Sequence, residues 1–344
     1  MSSRNKKVCF FGIFDPEYSR NRVLIRGFKE NEYEISLCRV DPKEYPGVKK
    51  YFQLVKEYRK LKSRKFEHVI VAFPGHTVVW LAYILFGRKV IFDVFVSLYN
   101  SEIEDRKTHG TFSFKAFYYW SLDWYSMKLP KTLLIDTKTH QDFLSKKFKI
   151  SKNKFIVVYV GSDDSIVYPK EKEGLDNFIV HFHGTGIPLQ GVSYIVEAAE
   201  ELEGEQEIRF RLYGVQGEDT KNISFLDRFE YKNMSNVLAE ADIVLGIFGD
   251  TTKTQHVIPN KVYEAWAAKK PLISADTPAM RELVSNKKEI LLCVMANCHD
   301  LAEKILFLKN DTILRNDMSE EGYGMSKEKL TPEILIRGLL QNLE

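Results

Sequence analysis

Two stretches of this 344-residue chain combine the residue types that hold an anion. The first, Phe182-His-Gly-Thr-Gly-Ile-Pro-Leu-Gln-Gly191, joins a predicted strand to a predicted helix. Its glycines Gly184, Gly186 and Gly191 let backbone N–H groups approach a ligand closely, and the helix that follows aims the positive end of its dipole at the same place. The spacing is not that of a dinucleotide-binding GxGxxG turn. The second stretch is Thr251-Thr-Lys-Thr-Gln-His-Val-Ile-Pro-Asn-Lys-Val-Tyr-Glu-Ala265. Pro259 sets φ for a helix start, with Asn260 and Lys261 in the first turn. Lys253, His256 and Lys261 would surround the free N–H groups with positive charge, and Glu264 shares a helix face with Asn260. The plainer alternatives are a turn that uses glycine only to turn, and a capped helix whose Glu264 is an acid favoured by the dipole.

The elements that must position these residues alternate regularly. Strands are predicted at residues 7–13, 33–40, 68–73, 90–95, 133–136 and 155–160, with helices at 20–29, up to about 65, 76–86, 116–128 and 140–148 between them. After a polar break at 168–176 the pattern restarts with strands at 178–183, 208–213, 243–247 and 271–274 and helices at 191–202, 234–240 and 261–268. Short apolar strands separated by helices mean parallel sheets covered on both faces. The expectation is an α/β chain of two doubly wound, Rossmann-like domains facing across a cleft: residues 1–168, residues 176–330, and a C-terminal helix at 331–344 packing back on the first. Ligands of such sheets bind beyond the carboxyl ends of the strands.

Composition narrows the class. Hydrophobic residues at 44% and charged residues at 28% describe a globular chain. Cys9, Cys38, Cys293 and Cys298 form no CxxC pair and read as buried, reduced thiols of a cytoplasmic protein, without metal. The polar residues 1–7 run straight into a strand and predict no signal peptide. The longest apolar run, residues 77–86, is too short to span a bilayer. Residues 1–165 hold 30 Lys and Arg against 18 Asp and Glu, whereas residues 166–344 hold 20 against 29. The densest basic stretch, bounded by Lys43 and Lys65, is either a solvated helix face or a contact for anionic lipid headgroups. No recognisable nucleic-acid motif accompanies it, so a nucleic-acid partner is not expected.

The segment 176–308 resembles the C-terminal domain of family-four retaining glycosyltransferases (glycosyl transferases group 1), which have the GT-B fold. Residues 178–191 look like that family's strand, Gly-Arg turn and Lys-Gly helix start, and Gly214 like its next strand-end glycine. Ala241-Asp-Ile-Val-Leu245 resembles its "aD-apolar" strand. Lys261-Val-Tyr-Glu-Ala-Trp-Ala267 with Lys270-Pro-Leu-Ile273 and Glu282 resembles its "EA-A-G-PV" block. The resemblance implies an enzyme that moves a sugar from a nucleotide-diphosphate sugar, UDP ranked before GDP, to a glycan or lipid-linked saccharide, without metal or other cofactor. It implies that Glu264 holds the ribose hydroxyls. Where the family has a first glutamate this chain has His256, and where it has diphosphate-binding Arg and Lys this chain has Thr185 and Gln190. Lys253, His256 and Lys261, with the backbone of residues 184–186, are the expected replacements, since a departing diphosphate needs charge and donors where its own charge develops.

In the N-terminal half, Gly12 ends the first strand, and Arg20 and Arg22 open a helix whose turn should face the cleft and meet phosphate. Asp93 and Ser97 lie where the family often places donor-sugar or acceptor contacts, and with His256 are the catalytic candidates. Residues 112–131 carry many aromatics among lysines; core packing accounts for most, and the remainder could dip into a membrane interface, placing the protein peripherally on the inner face. Two other functions stay open: a binding subunit with a decayed donor site, and a nucleotide-sugar 2-epimerase-type isomerase, for which no acid–base carboxylate pair accompanies Glu264.

Overall fold

Runs such as Val8-Cys-Phe-Phe11 are apolar on both faces, as strands covered by helices on both sides must be. In the computed structural model these side chains are fully buried. The structure describes residues 6–41, 44–45, 47–61, 65–172, 174 and 177–343. The chain divides into two units, residues 1–160 with 332–344 and residues 161–331.

The first unit runs β1 (Lys7–Gly12), α1 (Ser19–Glu30), β2 (Glu34–Arg39), α2 (Lys49–Lys60), β3 (His68–Val71), α3 (Val79–Phe86), β4 (Val90–Asp93), α4 (Phe114–Lys128), β5 (Thr132–Ile135), α5 (Lys138–Phe148) and β6 (Phe155–Val157). Its strands are all parallel in the order β2-β1-β3-β4-β5-β6. The polar segment after β4 is a π-helical turn, Asn100–Asp105. Of the basic stretch, Lys43, Lys62 and Arg64 lie outside the described residues.

The second unit runs β7 (Phe178–His183), α6 (Val192–Glu201), β8 (Ile208–Tyr213), β9 (Ile223–Leu226), α7 (Met234–Ala239), β10 (Ile243–Leu245), α8 (Asn260–Ala267), β11 (Leu272–Ala275), α9 (Pro278–Arg281), β12 (Leu291–Cys293), α10 (Cys298–Asn310) and α11 (Thr312–Lys329). Its parallel order is β12-β11-β10-β7-β8-β9. The order reverses between β7 and β10, the point where open α/β sheets bind ligands. Strands β9 and β12 were not expected; at four and three residues they are too short to show a period. The last helix, α12 (Pro332–Gln341), lies on α1 in the first unit. A Cβ on Gly27 would stand 2.3 Å from Pro332 O, so the two helices approach backbone to backbone.

The division after residue 160 falls before the expected boundary at 168. Val167 is buried, and Ser235 Oγ bonds both Ile166 O and Tyr168 O, so the segment is tied to the second unit. None of the four cysteines is bonded to another, and burial pushes the Cys38 thiol up to about 12. Among the described residues no helix is long and apolar enough to cross a membrane.

Candidate functional site

The carboxyl ends of β7 and β10 lead into the two segments marked by sequence. The two-residue period of β7 puts His181 and His183 on one face and Phe182 on the other. His181 packs on Tyr213 with ring centroids 5.2 Å apart, and Phe229 stands against His183 and Tyr213. Helix α8 starts after Pro259 with φ −72° and is buried from Lys261 through Ala267. Glu264 is therefore an interior carboxylate, 4% exposed, and must be hydrogen-bonded. His183 Nε2 lies 2.9 Å from Glu264 Oε2, and His181 Nε2 lies 2.9 Å from His183 Nδ1. Burial holds the His181 imidazole well below its ordinary range, so this ring is neutral.

The glycine turn is closed by its own side chain. Gln190 Oε1 accepts from Thr185 N at 3.0 Å and Gly186 N at 2.9 Å. Two N–H groups converging on one oxygen form an anion-binding nest, and an uncharged amide oxygen fills it here. Gly191 has φ +62°, and a Cβ on it would lie 2.4 Å from Gly249 N. Only glycine lets the turn meet the loop after β10, where Phe248 N and Gly249 N donate to Gln190 O and Leu189 O. Gly214, φ +73°, closes the neighbouring turn, and a Cβ there would lie 2.7 Å from Arg228 Cγ. Arg228 is thus an exposed cation beside the glycine turns.

The predicted replacement cations are placed differently. Lys261 is inside: its Nζ is 3.6 Å from the Phe182 ring centroid and has no hydrogen-bond partner among the described residues. Burial holds its ammonium well below the ordinary range, against the pull of Glu264. Lys253 is buried in a short 3-10 turn, Thr252–Gln255, whose end is His256, half-buried with its N–H on Lys253 O. Asn260 is half-buried at the first position of α8.

The first unit's candidates lie largely in the interior. Arg20 and Asp93 are both 0% exposed and face each other: Arg20 Nη2 donates to Asp93 Oδ1 at 3.0 Å and Arg20 Nη1 to Val158 O at 2.6 Å. Burial raises the Asp93 carboxyl, and the guanidinium opposes that shift. Ser97 Oγ donates to Asp123 Oδ2 at 2.6 Å and accepts from Asn100 N, which makes it a buried turn anchor. Arg22 faces Glu17. Gly12 ends β1 with φ +144°. Arg20 and Asp93 are engaged with one another and Arg20 with two carbonyls, and Ser97 is engaged with Asp123 and Asn100.

His181, His183 and Arg228 were missed. An alternating His-x-His at the end of a strand is a signal for two rings on one face beside the following turn; Arg228 carries no signal in the sequence. Among the described residues no group of three or more His, Cys, Asp or Glu is set to hold a metal ion.

Residues 193–341 match the model of a family described as glycosyl transferase-like. An uncharacterised glycosyltransferase of Methanocaldococcus jannaschii, MJ1178, is 26% identical over 195 residues, which span 52% of this chain and 50% of that relative. The solved structure of Anabaena Alr3699/HepE in complex with UDP-glucose is similar with a TM-score of 0.74 at 12% identity, over 98% of this chain and 99% of that one. Sucrose-phosphate synthase from Thermosynechococcus elongatus is similar with a TM-score of 0.76 at 10% identity, over 98% of each chain. Those structures share the two parallel sheets found here. The chain has the GT-B fold, and its residues 193–341 match the model of a glycosyl transferase-like family.

Proposed function

We propose that this chain is a retaining glycosyltransferase that uses a nucleotide-diphosphate sugar, UDP before GDP, and that Glu264 anchors the ribose. The observation that carries this is a buried carboxylate at the strand-order reversal of the second sheet, with Oε2 bonded to His183 and Oε1 without a hydrogen-bond partner among the described residues. The glycine turns and the uncapped start of α6 stand beside it as donors for a diphosphate. HepE was crystallised with UDP-glucose, which supports UDP. In the front-face course implied by the resemblance, the bond from the anomeric carbon to the phosphate oxygen breaks and the acceptor oxygen bonds on the same face. The acceptor proton passes to the departing phosphate oxygen, so the step needs neither a carboxylate nucleophile nor a metal.

The acceptor in this reading is a glycan or lipid-linked saccharide at an anionic cytoplasmic membrane face. Phe112, Phe114 and Phe117 are 104%, 96% and 70% exposed, and α2 exposes Lys49, Lys56, Arg59 and Lys60. Aromatic side chains beside basic ones suit an anionic interface. Sedimentation with vesicles should rise with anionic lipid content; indifference to it removes the membrane from the proposal.

Two observations favour a second reading, a binding subunit that does not transfer: Gln190 fills the nest, and Lys261 is buried. A panel of UDP- and GDP-sugars, followed for nucleoside diphosphate release with and without saccharide acceptors, separates the two. Release that depends on acceptor supports transfer; tight donor binding without release supports the subunit; absence of binding overturns both.

A further inference from the structure

We infer that His183 is a positioning residue for Glu264, and that the chain His181–His183–Glu264 makes the site selective for ribonucleotides. The inference rests on the reading of Glu264 as the ribose anchor. An ionised carboxylate only accepts, so the 2.9 Å contact requires a proton on His183 Nε2. In the proposed arrangement His183 carries its one proton at Nε2 and accepts at Nδ1 from His181 Nε2, 2.9 Å away. Both tautomers are thereby set from the buried end of the strand outward.

The rings have little freedom to turn. His181 lies on Tyr213, and Phe229 stands nearly perpendicular to both His183 and Tyr213, with angles of 68° and 88°. Lys261, one turn before Glu264, makes no hydrogen bond; its Nζ lies on the Phe182 ring, on the far face of β7 from the histidines. His183 is accordingly the one hydrogen-bond donor that Glu264 Oε2 has among the described residues. By engaging Oε2 it fixes the carboxylate plane and leaves Oε1 to a ribose hydroxyl. Without it the carboxylate can rotate, and a buried acceptor left unpaired is drawn to whatever donor is near.

The test compares binding of UDP with that of 2′-deoxy-UDP and 3′-deoxy-UDP. The parent should prefer UDP to at least one deoxy analogue by about tenfold, the usual worth of a hydrogen bond to a charged group. Glu264→Gln should lose that preference, which checks the anchor reading itself. His183→Phe should lose most of it, and His183→Gln, whose amide N–H can replace Nε2–H, should restore it. A role confined to packing would lower the unfolding temperature of His183→Phe and leave the preference intact; that result overturns the inference. If His183→Phe does not fold, His181→Phe, which removes the donor to Nδ1, should reduce the preference to about threefold by the same energetics. An unchanged preference in that variant counts against the chain. If Glu264→Gln keeps the full preference, the anchor reading fails first, whatever the histidine variants do.

Discussion

Each unit places a charged side chain near the carboxyl ends of its strands, and the two are handled in opposite ways. In the first, Arg20 and Asp93 satisfy one another and two carbonyls, with no side-chain exposure left. In the second, Glu264 has one oxygen bonded and one unbonded among the described residues, and glycine turns beside it. A closed pair of this kind is structural, because each group would leave the other buried and unpaired if it turned to a ligand. An incomplete set next to backbone donors is where a ligand completes the bonding.

The largest expected effect breaks the closed pair. Arg20→Ala should destabilise the first unit by about 3–5 kcal/mol in urea unfolding, the usual result of orphaning a buried partner. UDP affinity of the folded protein should not change. A loss of UDP affinity with little loss of stability would return Arg20 to the role of phosphate ligand.

A second enclosed histidine–carboxylate contact in the first unit supplies the pH test. His76 Nε2 and Asp123 Oδ1 are 3.4 Å apart, and burial holds His76 down to about 3. A base whose folded value is depressed is stabilising above the unfolded value and loses that contribution as pH falls. His76 therefore costs the fold about 2 kcal/mol between pH 7 and pH 5, from an ordinary value near 6.5. Asp123, pushed up to about 6 by burial, shifts stability the other way over part of this range. His76→Leu should remove the histidine contribution, so the variant loses less stability than the parent between pH 7 and pH 5. Equal losses would contradict it.

The smallest effect sharpens the open site. Gln190→Lys replaces the amide in the nest with a cation and should raise UDP affinity about three- to tenfold, a single charge-assisted contact. Titration calorimetry reads this directly. Unchanged or weaker binding would mean that the phosphates do not reach Thr185 and Gly186.

The frame of the protein was legible because its signals are local. Strands β7 and β8 have the bounds expected from their apolar runs, and α8 starts at the proline signal. The interior polar partners were not legible. Arg20 and Asp93 lie 73 positions apart and meet only because successive crossovers bring β1 and β4 into one sheet. Lys261 was read as a cation of the open site, whereas its Nζ lies inside on the Phe182 ring of β7, and the helix α11 that covers α8 was not foreseen. That helix covers α8 so closely that a Cβ on Gly322 would stand 2.4 Å from Trp266 Cδ1. Glu264 was identified by its resemblance, but its histidine partner required the pairing geometry of β7.

The most direct measurement is calorimetric titration of UDP into the parent and Glu264→Gln, with urea unfolding of both. The account predicts binding by the parent, a loss of about ten- to a hundredfold in the variant, and a much smaller change in stability. Equal UDP affinity in two equally folded proteins would contradict the assignment of Glu264 as the nucleotide anchor.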